Sequence, residues 1–171
     1  MNRLLEQLSG GDLRSIGNAN AIVKQVRSQH QFDQLFEGLF HSDRLIVMRA
    51  ADAIEKISQQ VPGYLLPHKR SLLGFLRVAA DKELKWHIAL LVPRLNLTTS
   101  ELRTTLTTLT CWARDITESR IVRVNSIQGL FDLLKRWPGQ RKGLERTLAQ
   151  LERGTVPSIK ARIRKLKKSF E

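Results

Sequence analysis

The chain has 171 residues, 29 Lys and Arg against 16 Asp and Glu, a formal net charge of +13, a pI near 10.7 and 42% apolar side chains. A chain of this size and apolar content buries about two thirds of its unfolded surface as one domain without disulfides or metals, which argues against a disordered ground state. The single cysteine, Cys111, can neither close an intramolecular bridge nor build a thiolate zinc site, so a reducing setting is expected.

In chain order, Met1-Asn2-Arg3-Leu4-Leu5-Glu6-Gln7 lacks the apolar core of a signal peptide. The longest apolar stretch, Ile88 to Pro93, is far shorter than the ~18 residues that span a bilayer. A cytoplasmic, membrane-free protein is the expectation. Leu4 to Leu8 forms a short amphipathic piece, Gly10-Gly11 breaks it, and a helix follows that contains Ile22, Val23 and Val26. These first residues, 1–30, read as an irregular helical cap, because the end of a helical array must close its core with a polar outer face.

Residues 31–171 read as the array itself. Phe32, Leu35, Phe36 and Leu39 open a first helix, and Ile46, Ala50, Ala53, Ile54 and Ile57 mark a longer one before Pro62-Gly63 and Pro67. Leu72, Leu73 and Leu76 precede a second long helix, Leu84, Ile88, Leu91, Val92 and Leu95, which Pro93 is expected to bend or deprive of one hydrogen bond. Thr98 to Thr110 is rich in β-branched residues, yet Leu102, Leu106 and Leu109 keep helical spacing and predict a helix. Val122, Ser126, Gly129, Leu130 and Leu133 mark the third long helix, stopped by Pro138-Gly139. Leu144, Leu148 and Leu151 follow, then Pro157 at a helix start and the stripe Ile159, Ile163, Leu166 and Phe170. Asp43, Asp81 and Ser119 stand three residues before the long helices' first stripe residues, where short oxygen-bearing side chains satisfy free N–H groups.

The long helices repeat one pattern. Apolar or small residues at offsets 0, +4, +7, +8 and +11 recur after 38 residues and again after 38; a copy 37 further on has Lys167 in the fourth place. A fixed period of this length is the signature of stacked supersecondary units. The second-helix pattern apolar-basic-x-x-small-x-x-small-apolar, as in Val122 to Leu130, resembles HEAT repeats; its basic place is Lys85, Arg123 and Lys160, with Val47 in the first copy and Arg49 two places on. The resemblance covers residues 31–171. It implies an all-α fold, a right-handed superhelix of about four HEAT-like helix pairs, and service as a scaffold for proteins or nucleic acids.

The charge is concentrated late in the chain. Residues 1–85 carry 12 basic and 9 acidic side chains, whereas from Lys135 onward there are 12 basic and 3 acidic. With the apolar stripe of the last helix inward, Lys160, Arg162, Arg164, Lys165, Lys167 and Lys168 spread over its outer arc, and Arg123 joins them as the candidate binding set. Such a surface suits an acidic protein partner or, alternatively, a phosphate backbone. HEAT-like DNA glycosylases place tryptophans and an aspartate around a damaged base; Trp112, Asp115, Trp137 and Arg123 are the residues that would stand in for that set here, as a minor alternative.

Other chemistry lacks a pattern. His30, His41, His68 and His87 form neither an i, i+4 pair nor an HExxH motif, and no glycine-rich phosphate loop is present. Cys111 is expected to be a buried structural cysteine, with Trp86 and His87 partly buried between repeats and Trp137 packed beside its Pro-Gly turn. The reading is a non-enzymatic binding scaffold with no cofactor, metal or small-molecule substrate.

Overall fold

The computed structural model describes residues 3–10 and 19–168, with Gln140 described by its backbone only. Among these residues the regular structure is helical: α1 Arg3–Glu6, α2 Ala19–Gln25, α3 Gln29–Phe36, α4 Arg44–Gln60, α5 Lys69–Val78, α6 Lys82–Leu91, α7 Thr99–Arg114, α8 Arg120–Arg136, α9 Arg141–Glu152 and α10 Pro157–Lys167. Gly11 and Phe170 lie outside the described residues. The chain falls into two compact units, 1–68 and 69–171.

In the first unit α4 packs against α2 and α3, with Ile46, Ala50, Ala53, Ile54 and Ile57 all buried. Ser28 caps α3 by accepting from the Gln31 N–H, and Asp43 caps α4 by accepting from that of Leu45. A 3₁₀ segment, Pro62–His68, is fastened onto α3 by polar bonds: Gln29 Nε2 donates to the Tyr64 carbonyl (3.1 Å), and His68 Nε2 lies 2.7 Å from Asp33 Oδ1. The His68 ring also stacks on Phe36, 3.8 Å between centroids.

In the second unit α6 and α8 run side by side in the same direction. Asn125 Nδ2 donates to the Trp86 carbonyl (3.4 Å), Gly129 faces the Ala89 carbonyl, and Arg136 Nη1 reaches the carbonyls of Pro93 (2.9 Å) and Leu95 (2.7 Å). Partners on both helices thus advance together from N- to C-terminus. The stripes Leu84, Ile88, Leu91, Val92, Leu95 and Val122, Ser126, Gly129, Leu130, Leu133 are buried throughout. α5 packs on α6, α7 on α8, and α9 and α8 on α10.

Several local expectations hold in detail. The threonine-rich segment is α7, opened by a capping box in which Thr98 and Glu101 satisfy each other's backbone N–H groups. Lys69 Nζ holds the same Glu101 at 2.6 Å, which ties α5 to the start of α7. Ser119 caps α8 and Pro157 opens α10, whereas Asp81 stands at the cap position of α6 without a side-chain cap hydrogen bond. Of the two effects expected of Pro93, the loss of a hydrogen bond is the one that acts, and no α-helix continues through it. The α-helix stops at Leu91 and a 3₁₀ turn, Val92–Arg94, carries the chain on, because proline offers no N–H to the i−4 carbonyl. Leu95 stays buried although it lies beyond the helix.

Residue 129 sets the separation of α6 and α8. A β-carbon there would sit 2.2 Å from the Ala89 carbonyl oxygen, a backbone atom that only a shift of the whole helix can move. Gly129→Ala is therefore expected to destabilise the second unit by about 1–3 kcal/mol through overpacking, several degrees in the thermal midpoint followed by circular dichroism. Gly74→Ala, in the interior of α5 with open space at the β-carbon, is expected to raise that midpoint, since alanine is favoured over glycine in a helix by roughly 0.5–1 kcal/mol.

Candidate functional site

The C-terminal helix is built as an amphipathic cylinder. Ile159, Ile163 and Leu166 are buried against α8 and α9, which turns the other positions outward. α10 contains no acidic residue, and Arg164, Lys165, Lys167 and Lys168 are exposed while Lys160 and Arg162 are half-buried. Part of this charge is structural. Arg164, Lys165 and Lys167 occupy the last turn, where cations complement the partial negative charge of the helix C-terminus.

The six cations differ in what they already hold. Arg162 Nη1 donates to Gln128 Oε1 of α8 (2.7 Å), and Lys167 Nζ pairs with Glu152 of α9 (2.6 Å). Arg164 Nε makes only a long contact, 3.4 Å, to the Lys160 carbonyl. Lys165 and Lys168 have no ion-pair partner among the described residues. The charges most available to a partner are thus Arg164, Lys165 and Lys168. Between α8, α9 and Lys167 of α10, Phe131, Leu134, Leu144 and Leu148 floor a groove of about 360 Å³ with Arg141, Glu145 and Lys167 at its rim. Arg141 Nε is held 2.7 Å from Glu145.

Arg123 does not join this set. It is 8% exposed, and its Nε donates to the Ala113 carbonyl at 3.1 Å. Ala113 lies in the last turn of α7, where carbonyls have no intrahelical donor. The guanidinium supplies that donor, so the residue belongs to the interior. Arg49 does the same work in the first unit: it is 1% exposed, and Nη1 donates to the carbonyls of Leu8 (2.7 Å) and Gly10 (2.6 Å). Arg136 closes the carbonyls after α6. The remaining basic position of the repeat pattern, Lys85, pairs with Glu118 and lies over the Trp112 ring, 5.7 Å from its centroid.

Arg49 and Arg136 were not among the sequence candidates. The signal for Arg49 was its place three residues after Ile46, on the face the stripe buries; a large polar residue there needs backbone acceptors.

In the glycosylase-like set the aspartate is engaged within its own turn. Asp115 Oδ1 accepts from the Thr117 hydroxyl (2.7 Å) and the Thr117 N–H (2.8 Å), an Asx-type turn that closes the α7–α8 connection. Those bonds, the hydroxyl's first, hold its carboxyl below the usual aspartate range. Trp112 is half-buried under Lys85, and Trp137 is half-buried with Arg136 stacked 4.7 Å from its ring centroid. Asp132 is the other perturbed acid here: burial pushes it up, against the pull of the Gln128 amide that donates to it at 3.0 Å. Cys111 is exposed, which corrects the expectation of a buried thiol; it lies in α7 outside the stripe Leu102, Leu106 and Leu109. Trp86 is half-buried and His87 buried.

Among the described residues no helix is long and apolar enough to cross a membrane, and no group of three or more His, Cys, Asp or Glu is placed to hold a metal ion. Replacing Arg123 by methionine keeps volume and removes the donor. The expected outcome is a loss of about 1–3 kcal/mol from an unsatisfied buried carbonyl, measured by denaturant unfolding, with no change in binding through α10.

A family model described as a HEAT repeat domain matches residues 3–170. No curated protein and no solved structure matches the chain.

Proposed function

The chain belongs to the HEAT repeat family, whose members generally serve as non-enzymatic scaffolds, and from that premise we propose that it is a binding scaffold that docks an acidic protein partner on α10. The observation that carries this reading is the helix without a single acidic residue, on which Arg164, Lys165 and Lys168 point outward. Exposed cations in a low-salt-bridge setting steer an acidic partner and fix its register. The apolar groove floored by Phe131, Leu134, Leu144 and Leu148 reaches the same helix at Lys167 and offers the desolvated centre that an interface needs.

We further propose that residues 31–171 form a right-handed stack of about four HEAT-like helix pairs behind an irregular cap, 1–30. The 38-residue recurrence of the buried stripe supports that arrangement. The phosphate-backbone alternative loses Arg123 to the interior, and with it the one candidate cation outside residues 160–168. A cytoplasmic location remains part of the proposal.

The test is a triple charge reversal, Arg164→Glu, Lys165→Glu and Lys168→Glu. Wild type is expected to retain a stoichiometric protein partner from a nuclease-treated lysate, and the triple variant to lose it by about tenfold or more in affinity, with an unchanged helical spectrum. If wild type instead retards duplex DNA with an affinity that falls steeply with salt, and retains no protein, the scaffold reading is wrong.

A further inference from the structure

The turns that precede the long helices repeat a second pattern, separate from the buried stripe. Phe40, Val78 and Ile116 lie 38 residues apart and are 62%, 73% and 84% exposed, half of the large apolar residues left open among the described residues. Each is followed four residues later by an exposed cation at the first position of a long helix: Arg44, Lys82 and Arg120. Cap residues Asp43, Asp81 and Ser119 stand just before those cations. Phe40 keeps a ring contact with Phe36, 6.1 Å between centroids, but most of its surface, like that of Val78 and Ile116, is open, and the return of such a residue four positions before each long helix calls for a use.

Within the second unit the placement is defined. α6 and α8 are parallel neighbours, so their N-termini lie at one end of the pair, and Val78 with Lys82 stands beside Ile116 with Arg120. The acids at this end are engaged locally: Asp115, exposed, accepts from Thr117, Glu118 pairs with Lys85, and Glu83 lies 3.9 Å from Lys82. Packed helices are about 8–10 Å apart. Seven residues of an α-helix advance about 10.5 Å, close to that spacing. The pattern ends at the next turn, where Gly154 occupies the place 38 residues after Ile116.

We infer that the turn end formed by Val78, Lys82, Ile116 and Arg120 is a docking edge for an acidic amphipathic helix of a partner protein. An apolar residue every seven positions would meet Val78 and Ile116 in turn, and flanking carboxylates would meet Lys82 and Arg120. Phe40 and Arg44 hold the same register in the first unit. Two isolated aliphatic side chains a helix width apart suit such a heptad stripe better than a bilayer, which needs a broad apolar face. The inference rests on the acidic-partner reading and adds a second contact area, distinct from α10.

A fluorescently labelled synthetic helix tests it, Glu-rich with Leu at every seventh position, followed by anisotropy. Wild type is expected to bind it, and a matched peptide with Ala for Leu at least tenfold more weakly. Val78→Ser with Ile116→Ser is expected to weaken the Leu peptide at least tenfold, and Lys82→Glu with Arg120→Glu likewise, all with unchanged melting curves. The α10 triple reversal should leave this peptide's affinity within twofold. Equal binding of the two peptides, or an unaffected Val78/Ile116 variant, overturns the edge while leaving the α10 scaffold reading standing. Binding to phosphatidylserine vesicles that depends on Val78 and Ile116, without peptide binding, overturns it in favour of a membrane surface. Loss of the lysate partner in the α10 variant alone separates the two contact areas.

Discussion

Helices α6 and α8 lie so close that residue 129 has no room for a β-carbon, which would fall 2.2 Å from the Ala89 carbonyl oxygen. That distance governs much of the second unit. Close packing of two parallel helices requires small residues at the crossing, and Ala89, Ser126 and Gly129 supply them. It also aligns the helices along their length, which brings Asn125 to the Trp86 carbonyl at one end and Arg136 to the Pro93 and Leu95 carbonyls at the other. With direction and separation defined, the turns before α6 and α8 must emerge together, and so must the side chains they carry.

The same packing creates a demand for interior cations. Every helix that ends against a neighbour leaves carbonyls without donors, and water does not reach those that are buried. Arginine answers this well, because its fork of N–H groups reaches two backbone acceptors from a long apolar stem. Arg123 serves the end of α7, Arg136 the turn after α6, and Arg49 the stretch after α1. A basic residue in the repeat pattern therefore has a structural use that does not depend on any partner. Part of the +13 net charge belongs to this inner set, and only the remainder is presented to solvent.

Which features were legible in the amino-acid order follows from the range over which each is determined. Helix existence, the buried stripes, the caps at Asp43 and Ser119 and the start at Pro157 depend on residues within one or two turns, and periodicity reveals them. The fate of Pro93 was less legible, because a proline can either kink a helix or end it, and the packing around Leu95 decides. Arg123 and Cys111 were misplaced for a related reason. One turn of α8 faces the C-terminal end of α7, and one face of α7 is left uncovered; neither fact can be read from a single helix. The basic helix α10 was legible as a set, but the division into Arg162 and Lys167 with partners, and Lys165 and Lys168 without, depends on Gln128 and Glu152, residues 34 and 15 positions away.

A further consequence concerns where a repeat protein keeps its specificity. The buried stripe must recur for the helices to stack, so its residues carry little information about a partner. Positions that recur yet stay exposed are different, since packing does not require them. Along this chain they are of two kinds: cations that follow each cap, and apolar residues that precede it. On α10 the recurrence fails, with Lys167 in place of an apolar residue and cations over the rest of the outer arc. Its outer arc, with Arg164, Lys165, Lys167 and Lys168, is exposed, so packing does not hold those positions to the pattern. Such positions tolerate charge: the packing that engages Arg123 and Arg136 with backbone carbonyls is absent at the exposed Lys165 and Lys168.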